Sequence, residues 1–130
     1  MTSVVLDASA GVEALLQGDK GVRVEAAIAD STLWVPEHFY VEVTATLRRL
    51  QLLGEIRPER SAVAMDRLLA IPTRRVQIRP LISEAWVLRD NITIADALYV
   101  VIARHVDATL VTFDTKLAAA PTLGIAVHVP

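Results

Sequence analysis

The chain has 130 residues, a formal net charge of −2, 53% hydrophobic residues and 5% aromatic residues, which predicts one domain, residues 1–130, with an aliphatic core. The absence of cysteine excludes a disulfide framework, a thiol nucleophile and a zinc–thiolate site. Neither a signal peptide nor an uncharged tract long enough to span a membrane is recognisable, so we expect a cytoplasmic protein.

Hydrophobic periodicity divides the chain into short strands that alternate with helices. The predicted elements are, in chain order, a strand at 3–6, helices at 8–17 and 21–29, a strand at 33–35, helices at 37–53 and 58–70, a strand at 74–79, helices at 80–89 and 93–105, a strand at 109–111, a helix at 115–119 and a strand at 125–129. Such alternation is typical of a parallel sheet covered on both faces. Trp34 and Trp86 are predicted to lie in the core.

Four acidic residues interrupt the apolar segments, namely Asp7, Glu42, Asp96 and Asp114. A carboxylate on a core-forming segment loses hydration and needs a partner. Asp7 and Asp114 directly follow predicted strands, where the ligand crevice of a parallel α/β sheet lies. A hard divalent cation accepts several carboxylate oxygens at once, so one cation site would explain all four acids together.

Three of the four acids have a local alternative as helix caps. Asp7 precedes the helix predicted at 8–17 and can serve as its N-cap. Thr93 and Asp96 have the spacing of a capping box, and Asp114 precedes the short helix at 115–119. Each acid, taken alone, leaves the structural and the functional interpretation open.

Glu42 lies in the middle of the longest predicted helix, where a capping role is impossible. Its neighbours at i+3 and i+4 are Ala45 and Thr46, and His38 at i−4 is its one potential partner within a turn. The sequence therefore favours a functional role for Glu42.

Positive charge is concentrated in the middle of the chain. Residues 43–81 contain eight Arg and three acids, a local net charge of +5, whereas the rest of the chain carries −7. This distribution suits an anion-binding rim beside an acidic, cation-binding centre. Solvated Arg side chains on helix surfaces are the alternative.

Four segments in one order carry a family resemblance. They are VLDAS at 5–9, PE at 36–37 followed by VEV at 41–43, NITIADALY at 91–99 and LVTFD at 110–114. With this ordered set the chain resembles the PIN-domain ribonucleases, and most closely the VapC-type toxins of bacterial toxin–antitoxin pairs. The segment between Leu53 and Ile82 carries no family signature, and substrate choice is expected there.

The resemblance implies a three-layer α/β PIN-like fold with a central parallel sheet of about five strands flanked by helices. It implies Mg²⁺- or Mn²⁺-dependent endonucleolytic cleavage of RNA by a toxin that a small antitoxin neutralises. It also implies a homodimer or a higher toxin–antitoxin assembly. The family's acidic positions correspond to Asp7, Glu42, Asp96 and Asp114, while Ser9 and Thr112 match its small polar and hydroxyl residues and are expected to position the substrate.

For the chemistry we expect Asp7 and Asp96 to be the principal metal ligands, with Asp114 and Glu42 completing the acidic ring. Glu42 has an alternative role in positioning the attacking water. Because four close carboxylates repel one another, at least one is expected to have a raised pKa in the absence of metal.

Arg48 and Arg49 lie roughly two helical turns beyond Glu42, and we expect at least one of them to contact the RNA backbone; a solvated helix end is the alternative. Among functions, a PIN nuclease of RNA maturation or decay would use the same chemistry, and a neighbouring antitoxin gene or growth arrest on expression separates the two. A non-catalytic interaction domain predicts missing acids, and a phospho-acceptor domain needs an adjacent acidic pair that the chain lacks.

Overall fold

The computed structural model describes residues 2–130 and shows a five-stranded parallel sheet flanked by helices. The strands are β1 (Thr2–Leu6), β2 (Ser31–Pro36), β3 (Arg74–Val76), β4 (Thr109–Val111) and β5 (Val127–His128). The helices are α1 (Ala8–Leu16), α2 (Asp19–Ile28), α3 (His38–Leu52), α4 (Pro58–Ala70), α5 (Ile82–Val87), α6 (Ile94–Val106) and α7 (Thr115–Ala119), with a 3₁₀ helix at Arg79–Leu81 before α5. The predicted α/β class and its parallel sheet are confirmed.

The strand order β3-β2-β1-β4-β5 shows that the chain reverses the direction in which it adds strands to the sheet. The chain starts in the centre with β1, extends the sheet through β2 to β3, and then crosses back to place β4 on the other side of β1. Because parallel crossovers are right-handed, the helices before and after this reversal cover opposite faces. The carboxyl ends of β1 and β4 therefore flank a switch point, where α/β folds open a ligand crevice.

Helix α6 forms the centre of the core. Its residues 97–103 are all buried, and it packs on β1, β2 and β4, because a helix that is apolar on every side must be covered on every side. It has 13 residues, and within residues 2–130 no helix is long and apolar enough to cross a membrane.

Helices α1 and α3 approach each other closely at Gly11. A Cβ at this position would lie 2.8 Å from the Phe39 ring, so glycine permits the contact.

Two strands are shorter than predicted because a strand continues only where a neighbouring strand offers backbone hydrogen bonds. β3 pairs with β2 up to Pro36 and Val76, so it ends there and not at residue 79. The chain then turns through the 3₁₀ helix, which shortens the helix predicted at 80–89 to α5. β5 likewise pairs only with Leu110 and Val111 of β4.

The prediction that Trp86 anchors the core is wrong. Trp86 is 58% exposed, whereas Ala85 and Leu88 take the buried positions of this short segment. The guanidinium of Arg89 lies 4.8 Å from the Trp86 ring centroid, a cation–π contact at the surface. Trp34, by contrast, packs against the core as expected.

Candidate active site

The four sequence-predicted acids, here called the acidic cluster (Asp7, Glu42, Asp96 and Asp114), come together near the switch point, where the other three lie within electrostatic range of Asp96. Asp7 follows β1 and Asp114 lies just beyond β4, while Asp96 belongs to the first turn of α6. Electrostatic repulsion from each of the other three acts on the Asp96 carboxyl group. The structure thus brings together residues that are 107 positions apart in the sequence.

Asp7 is the most deeply buried member of the acidic cluster, with 5% of its surface exposed. Its Oδ2 accepts hydrogen bonds from the hydroxyls of Ser9 and Thr112, each at 2.7 Å. Although Asp7 occupies the N-cap position of α1, its side chain makes no capping hydrogen bond. The capping alternative therefore does not explain this buried carboxylate.

The Ser9 and Thr112 hydroxyls form a clamp that joins the ends of β1 and β4. Their oxygens lie 3.2 Å apart, and they accept hydrogen bonds from the backbone N–H groups of Phe113 and Asp114, respectively. Both hydroxyls thereby fix the orientation of Asp7 relative to the turn that carries Asp114. Their predicted contact with substrate stays a prediction.

Asp96 combines a capping contact with a perturbed carboxyl group. Its backbone N–H donates to the Thr93 hydroxyl at 3.1 Å, as the capping box predicted. Burial raises the pKa of the half-buried Asp96 side chain above 3.8, and the charges of Asp7, Asp114 and Glu42 raise it further, while a hydrogen bond with Thr93 acts in the opposite direction. The expected raised pKa within the acidic cluster is thus located at Asp96.

Asp114 is the N-cap of α7. Its Oδ1 accepts hydrogen bonds from the backbone N–H groups of Lys116 and Leu117 at 3.0 and 3.1 Å. One oxygen satisfies the first turn of the helix, so the capping role and a contact of the second oxygen with a cation are compatible.

Glu42 has a partner that the sequence analysis missed. The hydroxyl of Tyr99 on α6 donates to Glu42 Oε1 at 2.7 Å, and His38 Nε2 lies 3.3 Å from the same oxygen. Burial, together with the hydrogen bond and charge of Glu42, raises the pKa of Tyr99 far above its usual range, so the phenol stays protonated. A tyrosine in an otherwise aliphatic buried helix was the available signal, because a buried hydroxyl requires an acceptor.

A cleft of about 460 Å³ opens beside the acidic cluster. Asp96 and Asp114 line it, and Arg89 and Lys116 contribute the two cationic side chains of its wall. Neither cation was selected from the sequence, because Lys116 and Arg89 lie outside the basic middle segment.

Four arginines of the basic middle segment, Arg48, Arg49, Arg60 and Arg67, do not line this cleft. Arg48 lines a separate groove between α3 and α4, together with Leu47 and Met65. Arg60 and Arg67 donate to the carbonyl oxygens of Leu16 and Leu15 at the end of α1. Two of the eight arginines are thus structural, and Arg49 is exposed in the last turn of α3.

The acidic cluster is an all-oxygen donor set of the kind that Mg²⁺ and Mn²⁺ prefer. In residues 2–130 none of its members forms an ion pair with Lys or Arg, so no close ion pair with these residues offsets their mutual repulsion. No three His, Asp or Glu side chains of the same residues are arranged to hold a metal ion directly. Because Mg²⁺ keeps several waters and binds through one or two carboxylates, the donor set suits a hydrated cation.

Comparison with known protein sequences shows similarity to PIN domains and to VapC ribonucleases. The family model of the PIN domain matches residues 4–123. Ribonuclease VapC12 of Mycobacterium tuberculosis is 35% identical over 115 residues, which cover 88% of this chain and 89% of the relative. Ribonuclease VapC1 of the same organism is 38% identical over 125 residues, 95% and 94% of the two chains.

Solved structures share the fold at low sequence identity. VapC20 of Mycobacterium tuberculosis, described as a toxin that cleaves the sarcin–ricin loop, superposes with a TM-score of 0.70 at 15% identity over 98% of this chain and 99% of its own. VapBC2 of Rickettsia felis, solved with a DNA fragment from its promoter, gives a TM-score of 0.67 at 16% identity over 98% of both chains. The architecture is therefore similar over nearly the full length.

Proposed function

The chain belongs to the PIN-domain family and, within it, to the VapC ribonucleases, and from this premise we propose that it hydrolyses RNA phosphodiester bonds at the acidic cluster with a bound Mg²⁺ or Mn²⁺. The observation that carries the proposal is the convergence of three other acids on Asp96 without a Lys or Arg ion pair among residues 2–130. Such an arrangement is unfavourable in a merely structural role and favourable around a cation.

The proposal assigns a distinct role to each member of the acidic cluster. Asp7 and Asp96 are the principal holders of the cation, directly or through water, and Asp114 contributes the oxygen that does not cap α7. When bound, the cation neutralises charge on the phosphate and lowers the pKa of water. Glu42 completes the ring or orients the attacking water, while Ser9 and Thr112 keep Asp7 in one orientation.

Dependence on the metal is the direct test of this proposal. The purified protein, incubated with a mixed RNA substrate, is expected to cleave it with added Mn²⁺ or Mg²⁺ and to lose cleavage with excess chelator, because the carboxylates alone supply no counter-charge for the phosphate. Activity is followed by the appearance of shorter fragments on a denaturing gel. Restoration by Mn²⁺ after chelation separates metal removal from protein damage, and cleavage that persists in chelator would contradict the proposal.

RNA contacts are expected at the cations of the cleft wall. Lys116→Ala should raise the KM for RNA by about three- to tenfold with little change in kcat, because a lost phosphate contact weakens binding of substrate and transition state alike. The salt dependence of RNA binding should become less steep by about one unit on a log–log scale. Initial rates over a range of RNA and salt concentrations measure both effects.

Arg48→Ala is the matched control for this prediction. It also removes one exposed cation, but from the groove between α3 and α4, so the KM is expected to stay within twofold of the wild-type value. A larger effect of Arg48→Ala than of Lys116→Ala would instead support the sequence-based expectation that the end of α3 binds the RNA backbone.

The proposed biological role is that of the toxin in a toxin–antitoxin pair, as in the VapC relatives. The proposed partners are RNA as substrate and a small antitoxin as inhibitor, with a toxin homodimer as the basic assembly. The solved VapBC2 structure supports an antitoxin partner for proteins of this fold. The complete acidic cluster speaks against the alternative of a non-catalytic interaction domain.

A further inference from the structure

A buried tyrosine holds one of the two carboxylate oxygens of Glu42. Tyr99 is 0% exposed, and its hydroxyl donates to Glu42 Oε1 at 2.7 Å. On α6, Tyr99 stands three residues after Asp96, so the two residues lie on neighbouring positions of the same helix face. The helix that carries one member of the acidic cluster thus also supplies a donor to another.

His38 approaches the same oxygen from the preceding turn of α3. Its Nε2 lies 3.3 Å from Glu42 Oε1 and 3.1 Å from the carbonyl oxygen of Ala95. Because a carbonyl oxygen only accepts, Nε2 carries the proton. The other nitrogen, Nδ1, is buried and has no hydrogen-bond partner within residues 2–130. The ring packs edge-on against Tyr99 with 5.1 Å between centroids.

Tyr99 is thus the hydrogen-bond donor to Oε1, while the Nε2–H of His38 is directed to the carbonyl oxygen of Ala95. In the described part of the chain Oε2 has no hydrogen-bond partner, and the Glu42 side chain keeps 34% of its surface exposed. A free glutamate side chain has several rotatable bonds and would present either oxygen in many orientations. Here the hydrogen bond from Tyr99 restricts that freedom and leaves Oε2 available, and the His38 ring packs against the tyrosine that donates it.

We propose that Tyr99, supported by His38, is a positioning residue that fixes Glu42 so that Oε2 alone serves the cation or the attacking water. This inference rests on the proposed function of the acidic cluster. Partners that orient a metal-site carboxylate contribute to metal affinity and activity, and their loss typically costs about 10- to 100-fold.

A purely structural explanation predicts a different result. A buried tyrosine hydroxyl needs an acceptor because an unsatisfied polar group is costly, and Glu42 supplies one whatever its function. In that case removing the Tyr99 hydroxyl would alter stability only. If Tyr99 positions Glu42, its removal must also change metal binding and catalysis through Glu42.

Tyr99→Phe removes the hydroxyl and keeps the buried ring. We expect Mn²⁺ affinity, measured by titration calorimetry without RNA, to fall about tenfold. At saturating RNA, kcat should fall by about the same factor, with the KM for RNA within twofold. The matched control is Tyr40→Phe. Tyr40 lies on α3, and its hydroxyl is hydrogen-bonded to Thr73 at 2.6 Å. Removal of this hydroxyl should leave Mn²⁺ affinity and kcat at wild-type values.

A double-mutant comparison separates action through Glu42 from a general effect. In a Glu42→Gln background, adding Tyr99→Phe should lower kcat by less than about twofold, because the carboxylate that Tyr99 orients is already absent. A full tenfold loss in that background, or wild-type Mn²⁺ affinity of Tyr99→Phe itself, would overturn the positioning role. Failure of the wild-type protein to bind Mn²⁺ would instead overturn the proposed function.

Discussion

Asp7→Asn is expected to reduce RNA cleavage by at least about 10³-fold while the protein stays folded. The amide has the shape of the carboxylate, and its oxygen can still accept the hydroxyl hydrogen bonds of Ser9 and Thr112, which at 2.7 Å hold the wild-type side chain. The negative charge is lost, however, and with it the strongest attraction for a cation at the switch point. Loss of a preorganised electrostatic contact to the transition state typically costs 10²–10³-fold, and a weakened metal site adds to this loss.

Cleavage by Asp7→Asn should be measured on the purified variant, with circular dichroism and a thermal melt to show that the fold is retained. Asp107→Asn is the matched control. It removes one carboxylate before β4, at the opposite edge of the sheet, and its backbone φ of 52° is a conformation that Asn adopts readily. Wild-type cleavage by the folded Asp7→Asn variant would exclude Asp7 as a metal ligand.

Asp96→Asn is expected to abolish cleavage to a similar extent, yet to stabilise the protein in the absence of metal. Burial and the neighbouring acids raise the pKa of Asp96 in the folded state above the value of 3.8 in the unfolded chain. The folded state therefore binds more protons than the unfolded state, so stability decreases as pH rises through the folded pKa. At neutral pH in chelator the charge of Asp96 destabilises the folded state, and the amide removes this destabilisation.

This gain in the free energy of unfolding should be below about 1 kcal/mol at pH 7, because Asp96 is only half-buried and solvent screens its repulsion. It should vanish below pH 3.8, where the carboxyl group is protonated in both states. Urea unfolding at several pH values in chelator measures it. Added Mn²⁺ should reverse the order, since a ligand of the folded state stabilises the wild-type protein but binds the variant poorly.

Asp90→Asn is the control for the Asp96 prediction. Asp90 is exposed and lines the same cleft, so its replacement removes one nearby charge but no member of the acidic cluster. Both cleavage and Mn²⁺-dependent stabilisation should stay close to wild type. If Asp96→Asn is less stable than wild type in chelator at pH 7, repulsion among the members of the acidic cluster does not destabilise the metal-free protein.

Local patterns were sufficient for much of the fold. The bounds of β4, α4 and α7 agree with prediction, since apolar runs and a proline at the first helical position are local signals. The ends of β3 and β5 were not predictable in this way, because each depends on where the neighbouring strand stops. Trp86 was misplaced for a related reason: a large apolar residue indicates burial on average, and only the packing of α5 shows that Ala85 and Leu88 fill the interior positions.

For the active site, the sequence by itself determined which acids are out of place, because an ionised side chain in an apolar segment is recognisable without neighbours from elsewhere. It also determined that a helix-capping role is possible for Asp96 and Asp114 but not for Glu42. Only the tertiary structure decided how these residues meet. The reversal of strand order sets the β1 and β4 ends side by side, and the tertiary structure lets Tyr99 of α6 reach Glu42 of α3, 57 positions away. Such contacts depend on the register of segments distant in sequence, which no local pattern encodes.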